Sequence, residues 1–232
     1  MKPAEETKIR LAKIKLQEAT SLLNSLITIP PVIKPKTKRI LIAPGHSSKR
    51  NGAPGRNGKY NEHDCTVMIA RMLQDELEKD GFDPIIHDPS VDDLVADGKQ
   101  AKGYDAYIAP HLNAYDNDDV DEYTCVLAHP NRRNASVVLA NCVAVATYKR
   151  NQKIIGSKAK LFGANTKYPG VYFRAVTVLR YSEMVTDDNI PCILPESFFL
   201  DAYADAERVE QLCKQAAYGI ADGVKEYFSI DR

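Results

Sequence analysis

Three short apolar runs in this chain each lead, within three residues, to a side chain that can bind a metal or carry a proton. Ile40-Leu41-Ile42-Ala43 runs into Pro44-Gly45-His46, Ala106-Tyr107-Ile108-Ala109 into Pro110-His111, and Cys192-Ile193-Leu194 into Pro195-Glu196. Apolar runs this short, bounded by Pro and Gly, read as buried strands. Helical patterns lie between them. Asn61 can cap a helix with Thr66, Ile69, Ala70, Leu73 and Leu77 on one face and Gly81 as its stop. Asn134 can cap another over Ala135–Tyr148, and Val209, Leu212, Cys213, Ala216, Ile220, Val224 and Phe228 mark a long closing helix. Asp83–His87, Tyr123–Ala128 and Thr177–Leu179 read as further strands. This alternation predicts an α/β fold: a twisted, largely parallel (mixed) sheet with helices on both faces.

Open sheets of this kind collect ligands outside the carboxyl ends of their strands. His46, His111 and Glu196, distant in sequence, are therefore placed to converge on one site. Glu62 follows a loop bearing Gly52, Gly55 and Gly58 and sits in the first turn of a helix, from which it can reach the same edge. Two histidines and one carboxylate are the ligand set of several zinc hydrolases, which leave a fourth position for water. Each residue taken alone is equally readable as a cap, a surface group or a core residue. His63 adjoins a helix start, His87 closes a strand before Asp88-Pro89, and His129 opens a Pro-Asn turn. No H-E-x-x-H motif is present to single out a ligand pair.

The balance of 31 basic and 31 acidic residues gives no global field toward nucleic acid or anionic lipid, so neither is expected as a partner. Five cysteines, at 65, 125, 142, 192 and 213, are odd in number and form no C-x-x-C pair. They read as reduced thiols, not as a disulfide frame or a thiolate metal site. No stretch is long and apolar enough to span a bilayer, so no membrane insertion is expected.

Residues 4–28 read as an amphipathic helix, with Ile9, Ala12, Leu16, Ala19, Leu23 and Leu26 in alternating three- and four-residue steps. Ile29-Pro30-Pro31 ends it, and Pro35 keeps the following stretch extended. Residues 1–37 thus form a helix on a stiff linker, and residues 38–232 the α/β domain. The seam is short for a coiled coil, which favours packing back on the domain over self-association or docking to another protein. Lys and Arg recur from Lys2 to Lys15 with no apolar core or cleavage site after them, so no secretory signal is read here.

Taken in order, these motifs resemble those of the zinc-dependent N-acetylmuramoyl-L-alanine amidases. Ala43-Pro44-Gly45-His46 is similar to the family's first zinc-ligand motif, Asn61-Glu62-His63 to its glutamate at a helix head, and His111-Leu112-Asn113-Ala114 to its second histidine motif. Pro195-Glu196-Ser197-Phe198-Phe199 is similar to the element that carries the catalytic glutamate, and Val178-Leu179-Arg180 to a segment preceding it. The resemblance runs from about Arg39 to Tyr227. It departs from the family at Ala109-Pro110 and at Ser197-Phe198, neither of which is an inferred ligand.

The resemblance implies one Zn²⁺ per chain on His46, Glu62 and His111, with Glu196 as the proton-transferring group. It implies hydrolysis of the amide joining N-acetylmuramic acid to L-alanine in peptidoglycan. Asn113 is then read as a group orienting a ligating histidine, and Arg180 as a contact for a carboxylate of the stem peptide. The absent signal points to a protein made in the cytoplasm that acts on the cell wall after release. This is the situation of a phage or prophage endolysin, with a mother-cell sporulation amidase as the other case. Two further readings stay open: another zinc amide hydrolase, such as a carboxypeptidase or deacylase, and a non-catalytic wall-binding or virion module.

Overall fold

The computed structural model describes residues 13–20, 37–87, 93–115, 122–131, 133–163 and 167–230. The chain divides into two compact units, Met1–Lys36 and Thr37–Arg232. Of the first, residues 13–20 are helical, with the Thr20 hydroxyl donating to the Leu16 carbonyl at 2.8 Å. The rest of the helix and linker expected over 4–37 lies almost wholly outside the described residues.

Among the described residues of the second unit, eight strands and five α-helices follow one another. They are β1 (Arg39–Ile42), α1 (Glu62–Lys79), β2 (Asp83–Ile86), α2 (Leu94–Lys99), β3 (Ala106–Ile108), β4 (His111–Asn113) and β5 (Tyr123–Ala128). Then come α3 (Asn134–Ile155), β6 (Lys160–Leu161), β7 (Val171–Phe173), α4 (Thr177–Val185), β8 (Cys192–Phe199) and α5 (Ala206–Ile230). The sheet order is β2-β1-β3-β8-β5-β6, with β4 also on β8 and β7 also on β5. Every pairing is parallel except β5 with β8, so the sheet is mixed and mostly parallel, as the sequence predicts.

Strand side chains alternate between faces, and the apolar strands feed two separate cores. Ile40, Ile42, Ala106, Ile108, Val126 and Ala128 pack in a core with residues of α1, α3 and α5. Leu41, Ala43, Tyr107, Ala109, Cys125 and Leu127 pack on the other side with Val178 and Leu179 of α4. A sheet covered on both faces needs apolar residues at every strand position, which is why these runs are continuous rather than alternating. The closing helix presents Val209, Leu212, Cys213, Ala216, Ile220 and Val224 to the core in the expected three- and four-residue steps. All five cysteines are free and buried.

The start and stop of α1 follow the sequence closely. The Asn61 side chain accepts from the Asp64 backbone N–H while Asp64 accepts from that of Asn61, a reciprocal capping box. At the other end Gly81 takes φ 81°, and the N–H groups of Gly81 and Phe82 reach back to Glu78 and Leu77.

Elsewhere the structure corrects the sequence reading. Thr177–Leu179 is not a strand; it opens α4, whose buried Val178, Leu179, Ser182 and Glu183 follow helical spacing. Just before it, β7, a three-residue strand too short to stand out in the sequence, pairs with β5. Arg133, not Asn134, stands at the N-cap of α3, without a side-chain cap bond, and the helix continues to Ile155. No helix of the described residues is long and apolar enough to cross a membrane.

Leu73 of α1 is fully buried in the core that α1 shares with the sheet and α5. Leu73→Ala is expected to lower unfolding stability by about 2–5 kcal/mol, whereas Met184→Ala, at an exposed position, stays within about 0.5 kcal/mol; denaturant titration of the full chain measures both.

Candidate functional site

β1 ends at Ile42, and the chain continues through Ala43-Pro44-Gly45 alongside the segment that follows β3. Ala43 donates to the Ile108 carbonyl at 2.8 Å and Gly45 to the Pro110 carbonyl at 2.9 Å. Pro110 offers no N–H to the ladder, and it separates β3 from the short β4 that begins at His111. His111 therefore opens a second strand segment instead of closing the first. His46 turns out of the β1 extension with φ 64°, a left-handed conformation that histidine adopts more readily than most residues.

Both imidazoles meet at Glu62. His46 Nε2 lies 2.9 Å from Glu62 Oε2, and His111 Nδ1 lies 3.0 Å from Oε1. The two rings stand edge to face with centroids 4.9 Å apart. The backbone N–H groups of Ala53 and Leu112 also donate to Glu62, at 3.1 Å each. Burial pulls the Glu62 carboxyl up, but the bonds and charges of His111 and His46 outweigh it and hold the group below the usual carboxylate range. Glycine is required at two points around this cluster. A Cβ on Gly45 would lie 2.5 Å from His111 Nε2, and one on Gly52 would lie 2.6 Å from both Glu62 Oε2 and the His46 ring. Gly52 also has φ 71°.

Glu196 does not end its strand, as the sequence pattern implied. β8 runs on to Phe199 and exchanges neighbours along its length: β3 pairs at Cys192 and Ile193, β4 at Glu196 and Phe199. On the other edge Glu196 pairs with Cys125 of antiparallel β5. Burial pushes its carboxyl up to about 7, moderated by His111 and Arg174, while Glu62 adds to the rise. Its Oε2 is buried with no hydrogen-bond partner among the described residues. A carboxyl poised near neutrality is suited to accept and return a proton.

His46, His111 and Glu196 line one cleft of about 540 Å³, with Arg50, Asp97 and Arg174 and an apolar wall that includes Leu94, Leu127, Val178 and Leu194. The predicted residues His46, Glu62, His111 and Glu196 are thus brought together. Ligand atoms of His46, Glu62 and His111 lie within 4.8 Å of one another. Two imidazoles and an ionised carboxylate, next to a buried carboxyl oxygen that lacks a partner, fit a four-coordinate divalent cation with an open position.

Two predicted residues stand elsewhere. The Asn113 amide donates at 3.4 Å to the carbonyls of Tyr123 and Glu196, not to a histidine ring, whose Nδ1 is taken by Glu62. Asn113 so holds the main chain of Glu196 to its neighbours. Arg180 is exposed on α4, over the Tyr181 ring, and does not line the cleft. Arg174, six residues earlier, does. Nothing in the local sequence marks Arg174, because its place depends on β7. Asn151 is also missed: buried in α3, it donates to the Ser197 carbonyl at 2.7 Å and bonds Thr124 Oγ1, bracing β8 beside Glu196.

A sequence profile of the family described as N-acetylmuramoyl-L-alanine amidase matches residues 40–226. Among solved structures, the chain is similar to the N-acetylmuramoyl-L-alanine amidase of Clostridium difficile 630, at 22% identity over 84% of this chain and 98% of that one, with TM-score 0.68. It is similar to the catalytic domain of CwlV, an N-acetylmuramoyl-L-alanine amidase from Bacillus (Paenibacillus) polymyxa var. colistinus, at 21% identity over 84% and 99%, with TM-score 0.63. It is similar also to the catalytic domain of CD27L, an endolysin targeting Clostridia difficile, at 21% identity over 82% and 97%, with TM-score 0.59. At these identities the likeness is one of fold. Comparison with curated protein sequences gives no match.

Gly45→Ala is expected to turn the His111 ring away from Glu62 and lower stability by about 1–3 kcal/mol. Ser48→Ala, on the exposed loop beside it, stays within about 0.5 kcal/mol. Histidine ring NMR and denaturant titration check the pair.

Proposed function

The chain belongs to the N-acetylmuramoyl-L-alanine amidase family, and from that premise we propose that it hydrolyses the amide between N-acetylmuramic acid and L-alanine of the peptidoglycan stem, with one zinc ion per chain. The observation that carries this reading is the meeting of His46, Glu62 and His111, whose two histidines line the same cleft as Glu196 with its partnerless Oε2.

His46, Glu62 and His111 would hold the metal through the ring nitrogens and carboxylate oxygens that now meet one another. The nitrogen and carboxylate donors suit zinc, and no cysteine is among the described residues that line the cleft. Bound zinc supplies Lewis acidity, polarising the scissile carbonyl and favouring attack by water near neutral pH. Glu196 takes the proton of the attacking water at Oε2 and returns it to the leaving amine. Asn113 and Asn151 keep the strand carrying Glu196 in place from two sides. The amidase fold shared with CD27L supports an endolysin role, of phage or prophage origin, acting on the wall after release.

His46→Ala and His111→Ala are each expected to lose stoichiometric zinc by metal analysis; a variant with full zinc removes that residue from the ligand set. Glu196→Gln is expected to keep zinc and lose hydrolysis by about 10²–10⁴-fold, and near-normal turnover would sink the assigned role. Mass spectrometry of digested peptidoglycan is expected to show intact stem peptides with new L-alanine amino termini, abolished by a chelator. Release of D-alanine or acetate instead would mean a carboxypeptidase or a deacylase. Retention on peptidoglycan with no new amino termini would mean a binding module.

A further inference from the structure

Among the described residues, Arg174 is a basic residue of the cleft to which the hydrolytic reading gives no work, since His46 and His111 serve the metal. It follows β7 directly, and its backbone N–H donates to the Ala128 carbonyl at 3.1 Å, so its Cα is fixed beside the end of β5. Its side chain is exposed and lines the same cleft as His46, His111 and Glu196.

Most other described arginines with side-chain contacts have those contacts filled by acceptors. Arg133 is held by Glu183, Thr186 and Asp188, Arg150 by Asp222, Arg39 by Asp83 and the Gly103 carbonyl, and Arg208 by the Ile154 carbonyl. Among the described residues the Arg174 guanidinium has no hydrogen bond or ion pair. The acidic groups that line the cleft with it do not hold it: Asp97 bonds His87 at 2.8 Å, and Glu196 has no bond to the Arg174 guanidinium. An exposed guanidinium in a cleft keeps a planar fork of donors, which matches a carboxylate in a way that a neutral amide does not.

We propose that Arg174 binds a free carboxylate of the stem peptide, so that the cleft selects stems carrying that group as the acid over stems carrying it as the amide. The proposal rests on the amidase reading, which is what brings a peptide bearing carboxylates into this cleft. It moves the contact expected of Arg180 to a residue that shares a cavity with Glu196. The apolar wall of Leu94, Val176 and Val178 then receives the aliphatic part of the same stem.

The test uses two synthetic muramyl peptides that differ only in a stem carboxylate, free in one and amidated in the other. Zinc-loaded full chain carrying Glu196→Gln is titrated with each by calorimetry, alone and combined with Arg174→Gln or Arg174→Lys. The acid is expected to bind about tenfold or more tighter than the amide, the range for a hydrogen bond to a charged group. Arg174→Gln brings the ratio close to one, and Arg174→Lys keeps part of it, since the charge stays and the fork is lost. Equal binding of the two peptides, no binding of either, or a ratio unchanged by Arg174→Gln overturns the proposal. The wild-type chain is assayed on both peptides in parallel. Discriminating binding without cleavage of either would sink the amidase reading and leave the carboxylate site standing; cleavage of both at equal kcat/KM does the reverse.

Discussion

The buried carboxylate of Glu62 is the interaction on which the rest of the site depends. A desolvated charge costs several kcal/mol unless it is paired and hydrogen-bonded, and here four donors from separate segments surround it. Those donors come from the end of the β1 extension, the glycine loop, and both the side chain and backbone of β4. One ionised group thus fixes three pieces of chain against the first turn of α1, where negative charge is also favoured by the helix dipole. The two crowded glycines follow from the same requirement. With a methyl at position 45 or 52 the rings and the carboxylate could not approach.

The sheet brings these segments together because its central strand serves two sets of neighbours. β8 pairs with β3 below and β4 above, and the break between them falls at Pro110, which cannot donate to the ladder. The break lets His111 start a new strand segment, level with Glu196 across the pairing. Antiparallel β5 closes the other edge, so Glu196 is enclosed on both sides inside a strand, not exposed at its tip. Enclosure is what desolvates it, and Asn113, Thr124 and Asn151 satisfy the backbone around it.

Where local pattern decides structure, the sequence was readable. Continuous apolar runs marked β1, β3, β5 and the start of β8, and Asn61 with Gly81 bounded α1 within a residue. Positions set by tertiary pairing were not. β6 and β7 are two and three residues long, α2 only six, and none carries a period long enough to register. Thr177–Leu179 is short and apolar like a strand yet opens α4, and Arg180 stands on that helix outside the cleft that Arg174 lines. Asn113 was legible as a residue near the site but not in its contacts, which are the carbonyls of Tyr123 and Glu196 and depend on the pairing of strands distant in sequence.

Two carboxylates only a strand apart end up with opposite character, and their surroundings account for it. Glu62 has four donors and lies below the ordinary carboxylate range; Glu196 has a buried oxygen with none and is pushed up to about 7. Titratable groups driven apart in this way suit the proposed division of labour, in which one keeps its charge and the other moves a proton. A pure binding module needs the first of these alone, and a buried polar atom left without a partner costs about 1–3 kcal/mol in any fold. Glu196 Oε2, buried without a partner among the described residues, stands beside the His–Glu–His cluster, where the proposed reading requires a hydrolytic water to be deprotonated.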